Sequence, residues 1–459
     1  MLVLAADTGA AAVRSNFRID QDALVSSVGA VAERVHSPGS ALADVVRAYR
    51  TAVEQRRTVV LNLPLDVQEL PVEAGPVPAV APFAPVRPGA DAVQSLAGLI
   101  AAAQRPVFVA GRGGRGAGAE LRDLAEASGA LLATSAVAAG LFADDPWSLG
   151  ISGGFATPLA AELISGADLV VGWGCTLNMW TMRHGALIGP DATVVQVDLD
   201  ADAIGANRPV HLGVLGDVGA TAVDVRTELD GPRTGYRTPQ VAAGIAERGR
   251  WRSEPYEDLT GPGGIDPRTL SIALDDLLPA ERTVAVDSGN FMGYPSAYLR
   301  VPDEHGYCLT QGFQSIGLGL ATAIGAACAR PDRLAVAALG DGGALMSAVE
   351  LETVARLGLP MVVVVYDDRG YGAEVHHFTG DDHTTVAFPD TDIAAIGRGY
   401  GFEAVTVNAP TDLDAWRTGW QATARNRSWC TRGSLRTAAP GGWRRPSGAT
   451  STGCRVRRR

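Results

Sequence analysis

Two glycine- and aspartate-rich segments in the last third of the chain have the residue types that bind a phosphorylated ligand together with a divalent cation. The first is residues 340–343 (Gly-Asp-Gly-Gly), and the second, 23 residues further on, is residues 367–372 (Asp-Asp-Arg-Gly-Tyr-Gly). Each follows a short apolar run that predicts a strand, and a helix is predicted between them over 348–357. Because ligands of open parallel sheets bind where the strands end, the spacing predicts that both segments lie at one such edge.

The chemistry expected of these segments is the binding of a diphosphate through Mg²⁺. Glycines after Asp341 let backbone N–H groups approach a phosphate, and the helix that follows offers its positive N-terminus. Mg²⁺ takes about six oxygen ligands in an octahedral array. Asp341, Asp368 and the backbone carbonyl of Gly370 would supply three, which leaves room for two phosphate oxygens and a water. The alternative is that the two carboxylates only cap loops.

These segments resemble the thiamine diphosphate enzymes of the acetolactate synthase and 2-oxo acid decarboxylase family, whose signature is Gly-Asp-Gly and, some two dozen residues later, Asn-Asn or Asn-Asp. Residues 286–290 (Val-Asp-Ser-Gly-Asn) resemble the family's first diphosphate-contacting turn. Residues 310–320 resemble the segment before Gly-Asp-Gly, and there Ile316 stands where the family has a bulky apolar residue that bends the cofactor. The resemblance extends over roughly residues 1–420.

The resemblance implies a set of ligands for thiamine diphosphate and Mg²⁺. The implied cofactor-binding residues are Ser288, Gly289, Asn290, Gln311, Ile316, Gly340, Asp341, Gly342, Gly343, Asp368, Gly370 and Tyr371. Asp341, Asp368 and Gly370 are the implied metal ligands. The implied activity is that of an acetolactate synthase-like enzyme, in which the thiazolium C2 of the cofactor attacks a 2-oxo acid and serves as an electron sink for decarboxylation and carboligation. A 2-oxo acid decarboxylase or aldehyde lyase of the same family, and a catalytically silent cofactor-binding or interaction subunit, stay open as alternatives.

The chain departs from the family pattern in its first, central and last blocks. None of the acids in the first 60 residues matches the family's catalytic glutamate, so we expect the segment that carries it to lie upstream of Met1 and the catalytic residue stays unknown. Asp368 stands where the family usually has asparagine, which still allows magnesium ligation. Residues 175–181 replace an Arg-containing stretch that helps acetolactate synthases to hold FAD, so FAD binding stays open. His376 and His377 either face the substrate or form a solvated pair.

Helices that alternate with short apolar runs favour an α/β fold of consecutive Rossmann-like parallel-sheet domains. We expect a partial pyrimidine-binding domain over 1–70, a Pro-rich linker over 71–90, a central domain over 91–225, a second linker over 226–264, a diphosphate-binding domain over 265–422 and an Arg-rich disordered tail over 423–459. Residues 111–116 (Gly-Arg-Gly-Gly-Arg-Gly) have the form of a dinucleotide fingerprint, but no acidic residue follows about 20 positions later. A NAD-type site and a tight structural turn both stay open there.

The composition excludes several other classes of protein. The 459 residues are 46% hydrophobic and 19% charged, which is not the composition of a disordered or fibrous chain. Ten of the 39 basic residues lie after position 424, where the chain has no acidic residue. The rest of the chain has a net negative charge, which makes it a poor surface for nucleic acid or anionic membranes. That basic tail is either an interaction arm or a segment foreign to the functional protein. Five widely spaced cysteines and the lack of an apolar run of about 18 residues favour a cytoplasmic protein without a membrane span. The resemblance implies a homodimer or homotetramer with the site at its interface.

Overall fold

The computed structural model describes residues 1–73, 75–81, 83–414 and 429–434, the last of these by their backbone only. It is an α/β structure built on three parallel sheets, which confirms the predicted fold class. Its contacts divide the chain into two units, Met1–Pro85 and Val86–Arg459. Within the described residues no helix is both long enough and apolar enough to cross a membrane.

The first unit is a small parallel sheet with helices. Its strands are β1 (Leu2–Asp7), β2 (Val31–Arg34) and β3 (Val59–Pro64), and its helices are α1 (Gln21–Ser27), α2 (Ala41–Glu54) and α3 (Leu65–Gln68). The strand order is β1-β3-β2. In the described part of the chain β3 is therefore the central strand, and β1 and β2 are edge strands that pair only with β3. Ala48 of α2 packs with Val59 and Leu61 of β3 in a core that excludes water.

The central block, which belongs to the second unit, is a six-stranded parallel sheet. Its strands are β4 (Pro106–Ala110), β5 (Leu131–Thr134), β6 (Ser148–Ile151), β7 (Leu169–Trp173), β8 (Thr193–Asp198) and β9 (Leu212–Leu215). Its helices are α4 (Ala90–Ala102), α5 (Gly118–Ser128), α6 (Pro158–Ser165), α7 (Val218–Thr227) and α8 (Pro239–Arg248). The strand order is β6-β5-β4-β7-β8-β9. Strands β4 and β7 are buried along their whole length, as expected of parallel strands with helices on both faces.

Helix α8 lies within the stretch 226–264 that the sequence predicted to be a linker. Thr238 caps its start by accepting the Val241 N–H at 3.2 Å, and a proline occupies its first position. Val241 and Ile245 pack against the core of the central block. The prediction failed here because glycines and prolines on both sides of the helix obscured a periodic pattern of only ten residues.

The glycine-rich turn at 111–116 is a packing turn. A Cβ atom on Gly111 would clash with the backbone of Gly174 and Cys175, and one on Gly113 would lie 2.8 Å from the Gly174 Cα. The turn that follows β4 therefore meets the turn that follows β7 backbone to backbone. This contact accounts for the glycines and favours the structural explanation over a NAD-type site.

The third block is a second six-stranded parallel sheet. Its strands are β10 (Arg282–Val286), β11 (Tyr307–Leu309), β12 (Leu334–Gly340), β13 (Met361–Asp367), β14 (Glu403–Val407) and β15 (Trp429–Ser434). Its helices are α9 (Pro267–Leu277), α10 (Gly293–Tyr298), α11 (Gly319–Ala329), α12 (Asp341–Ser347), α13 (Leu351–Leu357), α14 (Gly372–His377) and α15 (Ile393–Gly399). The strand order is β11-β10-β12-β13-β15-β14.

Strands β12 and β13 are adjacent in this sheet and position the two aspartate-rich segments. Leu339 of β12 pairs with Val365 of β13, and Gly340 pairs with Tyr366. Both strands are apolar and buried almost to their last residue, because helices cover both faces of the sheet. The two segments that follow these strands therefore begin side by side at the carboxyl edge, as the sequence predicted.

Strand β15 falls in the tail that the sequence predicted to be disordered. Its backbone pairs in parallel with β13 on one side and with β14 on the other. The predicted disorder therefore does not hold for residues 429–434, because the sheet offers the backbone of this segment hydrogen-bonding partners on both sides. The other residues of the predicted tail lie outside the described part of the chain.

Candidate functional site

The two predicted metal-binding carboxylates meet at the carboxyl edge of the third sheet. Asp341 is the first residue of α12, is buried, and accepts the Gly370 N–H at 2.9 Å through its Oδ2. The carboxyl group of Asp368 is within hydrogen-bonding reach of Asp341, and the Asn290 side chain also hydrogen-bonds to it. The structure thus brings together predicted residues from the ends of β10, β12 and β13.

Burial and like charge act together on this pair. Loss of solvent raises the pKa of Asp341 well above its usual value, and the nearby charges of Asp368 and Asp367 raise it further. Burial likewise raises the pKa of Asp368, although its hydrogen bond with Asn290 opposes that effect. The guanidinium of the neighbouring Arg369 lies 3.9 Å from the carboxylate of Asp390. Two adjacent carboxylates and a nearby backbone suit a hard divalent cation such as Mg²⁺, so the donor set fits the predicted metal.

Glycines surround the carboxylates because no side chain would fit there. A Cβ atom on Gly342 would lie 2.5 Å from Cε1 of Tyr371, and one on Gly343 would clash with the carboxylate of Asp287. A Cβ atom on Gly370 would clash with the backbone carbonyl of Val386. The first turn of α12 and the loop after β13 are therefore closely packed around the pair.

A short antiparallel contact holds the loop that carries Asp368 and Gly370. The Tyr371 N–H donates to the Val386 carbonyl at 2.9 Å, and the Phe388 N–H donates to the Arg369 carbonyl at 2.7 Å. The Tyr371 ring also meets the Phe388 ring edge to face, with 4.8 Å between centroids. Arg369 itself has a φ of +60°, a left-handed conformation that a non-glycine residue adopts only when its surroundings impose it.

The predicted diphosphate-contacting turn begins where β10 ends. Ser288 is buried, Gly289 has a φ of +147° that suits glycine, and Asn290 begins a short 3₁₀ turn, Asn290–Met292. Asn290 reaches the carboxylate pair, whereas Ser288 lies further back, its hydroxyl 3.5 Å from that of Thr310. Gly340 ends β12 against the Phe291 ring, which a Cβ atom on Gly340 would approach to 3.0 Å.

Gln311 and Ile316 lie after β11, on the other side of β10. Gln311 belongs to a short 3₁₀ turn, Thr310–Phe313, and Ile316 is half-buried in the turn that leads into α11. No hydrogen bond among the described residues joins the Gln311 side chain to the carboxylate pair. These two residues share the sheet edge with the other predicted ligands.

One buried residue of this region was not among the predicted ligands. Asp287 is fully buried and accepts hydrogen bonds from Ser288, Thr310 and Gly317. The turn that contains it was recognised from the sequence, but its carboxylate bonds to residues as distant as Gly317, which the sequence does not indicate. His376 and His377 are exposed at the end of α14, and the His377 Nδ1 lies 2.6 Å from the Ala373 carbonyl oxygen.

Two family descriptions match the second unit. The description "Thiamine pyrophosphate enzyme, central domain" matches residues 93–225, and "Thiamine pyrophosphate enzyme, C-terminal TPP binding domain" matches residues 287–417. Together they cover more than half of the chain, and the second one includes the carboxylate pair. The chain belongs to the thiamine pyrophosphate enzyme family. The resemblance predicted from the sequence is thus confirmed.

Relatives within the thiamine pyrophosphate enzyme family agree with this assignment. The large subunit of acetolactate synthase from Parasynechococcus marenigrum is 30% identical over 74% of this chain and 56% of its own length. A sulfoacetaldehyde acetyltransferase from Alcaligenes xylosoxydans xylosoxydans is 29% identical over 71% of this chain and 59% of its own. The chain therefore spans less than two thirds of the length of these relatives.

A solved structure shares the fold. It comes from Mycobacterium smegmatis, is described as that of a thiamin diphosphate-dependent enzyme, and superposes with a TM-score of 0.77 at 22% identity. The match covers 95% of this chain and 82% of that chain. This likeness shows that the chain shares the fold of that protein.

The raised pKa of Asp341 predicts how the metal-free protein responds to pH. Between about pH 4 and that raised pKa the folded chain binds more protons than the unfolded chain, so its stability falls as the pH rises. Asp341→Asn removes this ionisation and keeps an oxygen for the Gly370 N–H. In a chelator-treated sample at pH 8 the variant should have a higher melting temperature than the wild type. The difference should be roughly 2–4 °C for each kcal/mol by which the free energy of unfolding increases.

Thermal melting at pH 4, 6 and 8 checks this expectation. The difference between variant and wild type should shrink towards pH 4, where both proteins carry a neutral group at this position. Asp276→Asn, at an exposed carboxylate of α9, serves as the control and should show no such trend. A lower melting temperature of Asp341→Asn at pH 8 would contradict the electrostatic account.

Proposed function

We propose that this chain binds thiamine diphosphate through Mg²⁺ and takes part in acetolactate synthase-like chemistry on 2-oxo acids. The observation that carries the proposal is the carboxylate pair, Asp341 and Asp368, at the edge of the sheet beside the Gly370 backbone. Family membership supports the cofactor, and the name of the Parasynechococcus marenigrum relative supports the reaction class. The magnesium dependence and the substrate are parts of the proposal.

Each residue of the site has a proposed task. The carboxylates of Asp341 and Asp368 and the carbonyl of Gly370 would hold Mg²⁺, whose charge would remove the repulsion between the carboxylates. The backbone N–H of Gly343, in the first turn of α12, would donate to the diphosphate. When bound, thiamine diphosphate supplies a nucleophilic carbon and an electron sink for decarboxylation.

Residues further from the metal would orient the cofactor. The Ser288–Asn290 turn would contact the diphosphate, with Asn290 also fixing the Asp368 carboxylate through their hydrogen bond. Ile316 would provide the apolar surface against which the cofactor bends. Gln311 and Tyr371 would border the same site. No described residue is assigned as the catalytic acid.

We also propose that the chain works as a homo-oligomer in the cytoplasm. Large apolar side chains are exposed in both units, among them Phe17 at 80% and Phe313 at 78% exposure, and a second copy of the chain could cover them. The described cysteines, Cys175, Cys308 and Cys328, are free thiols, as is usual in a reducing compartment.

Thermal melting tests the cofactor. Thiamine diphosphate with Mg²⁺ should raise the melting temperature of the wild type, because a ligand at about 100 times its dissociation constant adds about 2.7 kcal/mol of stability. Asp341→Ala should abolish this rise, since it removes one of the two carboxylates. Asp202→Ala, an exposed acid of the central block, is the control and should keep the rise. A wild-type melting temperature that stays unchanged when both additives are present would overturn the proposal.

Product analysis tests the reaction. Pyruvate supplied with thiamine diphosphate and Mg²⁺ should release CO₂ and yield acetolactate. An aldehyde product would instead indicate a decarboxylase or lyase of the family, and a cofactor-binding chain without turnover would indicate a silent subunit. A second candidate follows from the acetyltransferase relative, and consumption of sulfoacetaldehyde would identify it.

A further inference from the structure

A second buried carboxylate lies behind the proposed cofactor site. Asp287 follows β10 directly, is fully buried, and donates its backbone N–H to the Ala338 carbonyl of β12 at 3.0 Å. Every hydrogen bond that the described residues make to its carboxylate comes from a neutral donor. The Ser288 N–H reaches Oδ1 at 2.9 Å, and the Gly317 N–H reaches Oδ2 at 2.8 Å. The Thr310 hydroxyl donates to Oδ1 at 3.3 Å.

These donors belong to separate segments of the proposed site. Ser288 begins the turn assigned to the diphosphate, and Thr310 begins the 3₁₀ turn that contains Gln311. Gly317 immediately follows Ile316. In addition, a Cβ atom on Gly343 would clash with the Asp287 carboxylate, so the first turn of α12 also packs against it. One carboxylate therefore joins four segments that carry proposed cofactor ligands.

The turn beside Ile316 depends on an external restraint. Gln314 has a φ of +56° and Gly317 a φ of +84°, so the backbone reverses through left-handed conformations on both sides of Ile316. Such conformations persist where the surroundings impose them. The hydrogen bond from Gly317 to Asp287 ties this turn to the end of β10.

A carboxylate suits this position better than an amide does. It has two oxygens, and together they accept two backbone N–H groups and a hydroxyl. An asparagine would keep one oxygen for Ser288 and Thr310, which lie on the same side, and would turn its NH₂ group towards the Gly317 N–H. Two donors would then face each other, and the turn that carries Ile316 would lose its restraint.

We propose that Asp287 is a positioning residue that holds Ile316 at a fixed distance from the diphosphate-binding turn. This inference rests on the proposed function. Asp287 acts through the Gly317 N–H, and none of the hydrogen bonds that the described residues make to its carboxylate comes from Asp341 or Asp368. Its removal should therefore weaken the binding of the heterocyclic part of thiamine diphosphate and leave diphosphate binding through the metal intact.

Calorimetric titration of the full chain with two probes in the presence of Mg²⁺ tests the inference. Asp287→Asn should bind thiamine diphosphate about 10- to 100-fold more weakly than the wild type, the loss expected when a hydrogen bond to a charged group is removed. Inorganic pyrophosphate, which lacks the heterocycle, should bind both proteins within about twofold. Equal losses for both probes, or an unchanged affinity for thiamine diphosphate, would overturn the inference.

A double-variant cycle shows whether Asp287 acts through Ile316. Ile316→Ala alone should weaken thiamine diphosphate binding, and adding Asp287→Asn should then cost little more, because both changes remove the same contact. Fully additive losses would contradict the positioning role. A wild type that binds neither probe would overturn the proposed function itself, which separates the two failures.

Gly317→Ala covers the case in which Asp287→Asn does not fold. An alanine at position 317 would have to adopt a φ of +84°, and its Cβ atom would lie 3.2 Å from the Cβ of Met346. The substitution should therefore displace the turn while Asp287 stays intact. This variant should also lose thiamine diphosphate affinity and keep pyrophosphate affinity. Unchanged binding of thiamine diphosphate to a folded Gly317→Ala would overturn the inference.

Discussion

The repulsion between two buried carboxyl groups, Asp341 and Asp368, is the constraint on which the rest of the site depends. Burial disfavours the charged form of each group, and the charges of Asp368 and Asp367 further disfavour that of Asp341. The described chain provides neutral donors to the pair, among them the N–H groups of Gly342 and Gly370 and the Asn290 amide. A divalent cation would complete the charge balance. For this reason we propose that the pair binds a metal and, through it, an anionic ligand.

Each structural layer contributes to holding that pair. The register of β12 with β13 sets Gly340 beside Tyr366 and so fixes where the two segments begin. Glycines at 342, 343 and 370 then allow the backbone to approach closely, and the contact of residues 369–371 with 386–388 keeps the loop in place. Asp287 forms a separate anchor that uses only N–H and O–H donors. The proposed metal-binding and the proposed cofactor-orienting parts of the site are thus held by different contacts.

The sequence predicted those features that depend on local pattern. Apolar runs before residues 340–343 and 367–372 sufficed to place both segments at one sheet edge, since parallel strands end together. The sequence could not indicate that the Asp287 carboxylate accepts a hydrogen bond from Gly317, because that contact depends on tertiary packing. Helix α8 was missed because its short pattern lies among turn residues. Strand β15 was missed because its sequence has no strong strand propensity. Its pairing with β13 and β14 determines its conformation instead.

The mutual dependence of metal and cofactor tests the central claim most directly. Titration of the chain with thiamine diphosphate, in the presence of Mg²⁺ and again in a chelator, gives the two dissociation constants, and the reciprocal titration with Mg²⁺ gives the coupling from the other side. If the carboxylate pair holds a metal that in turn holds the diphosphate, each ligand should strengthen the other by the same factor. Equal affinity for thiamine diphosphate with and without Mg²⁺ would contradict the account.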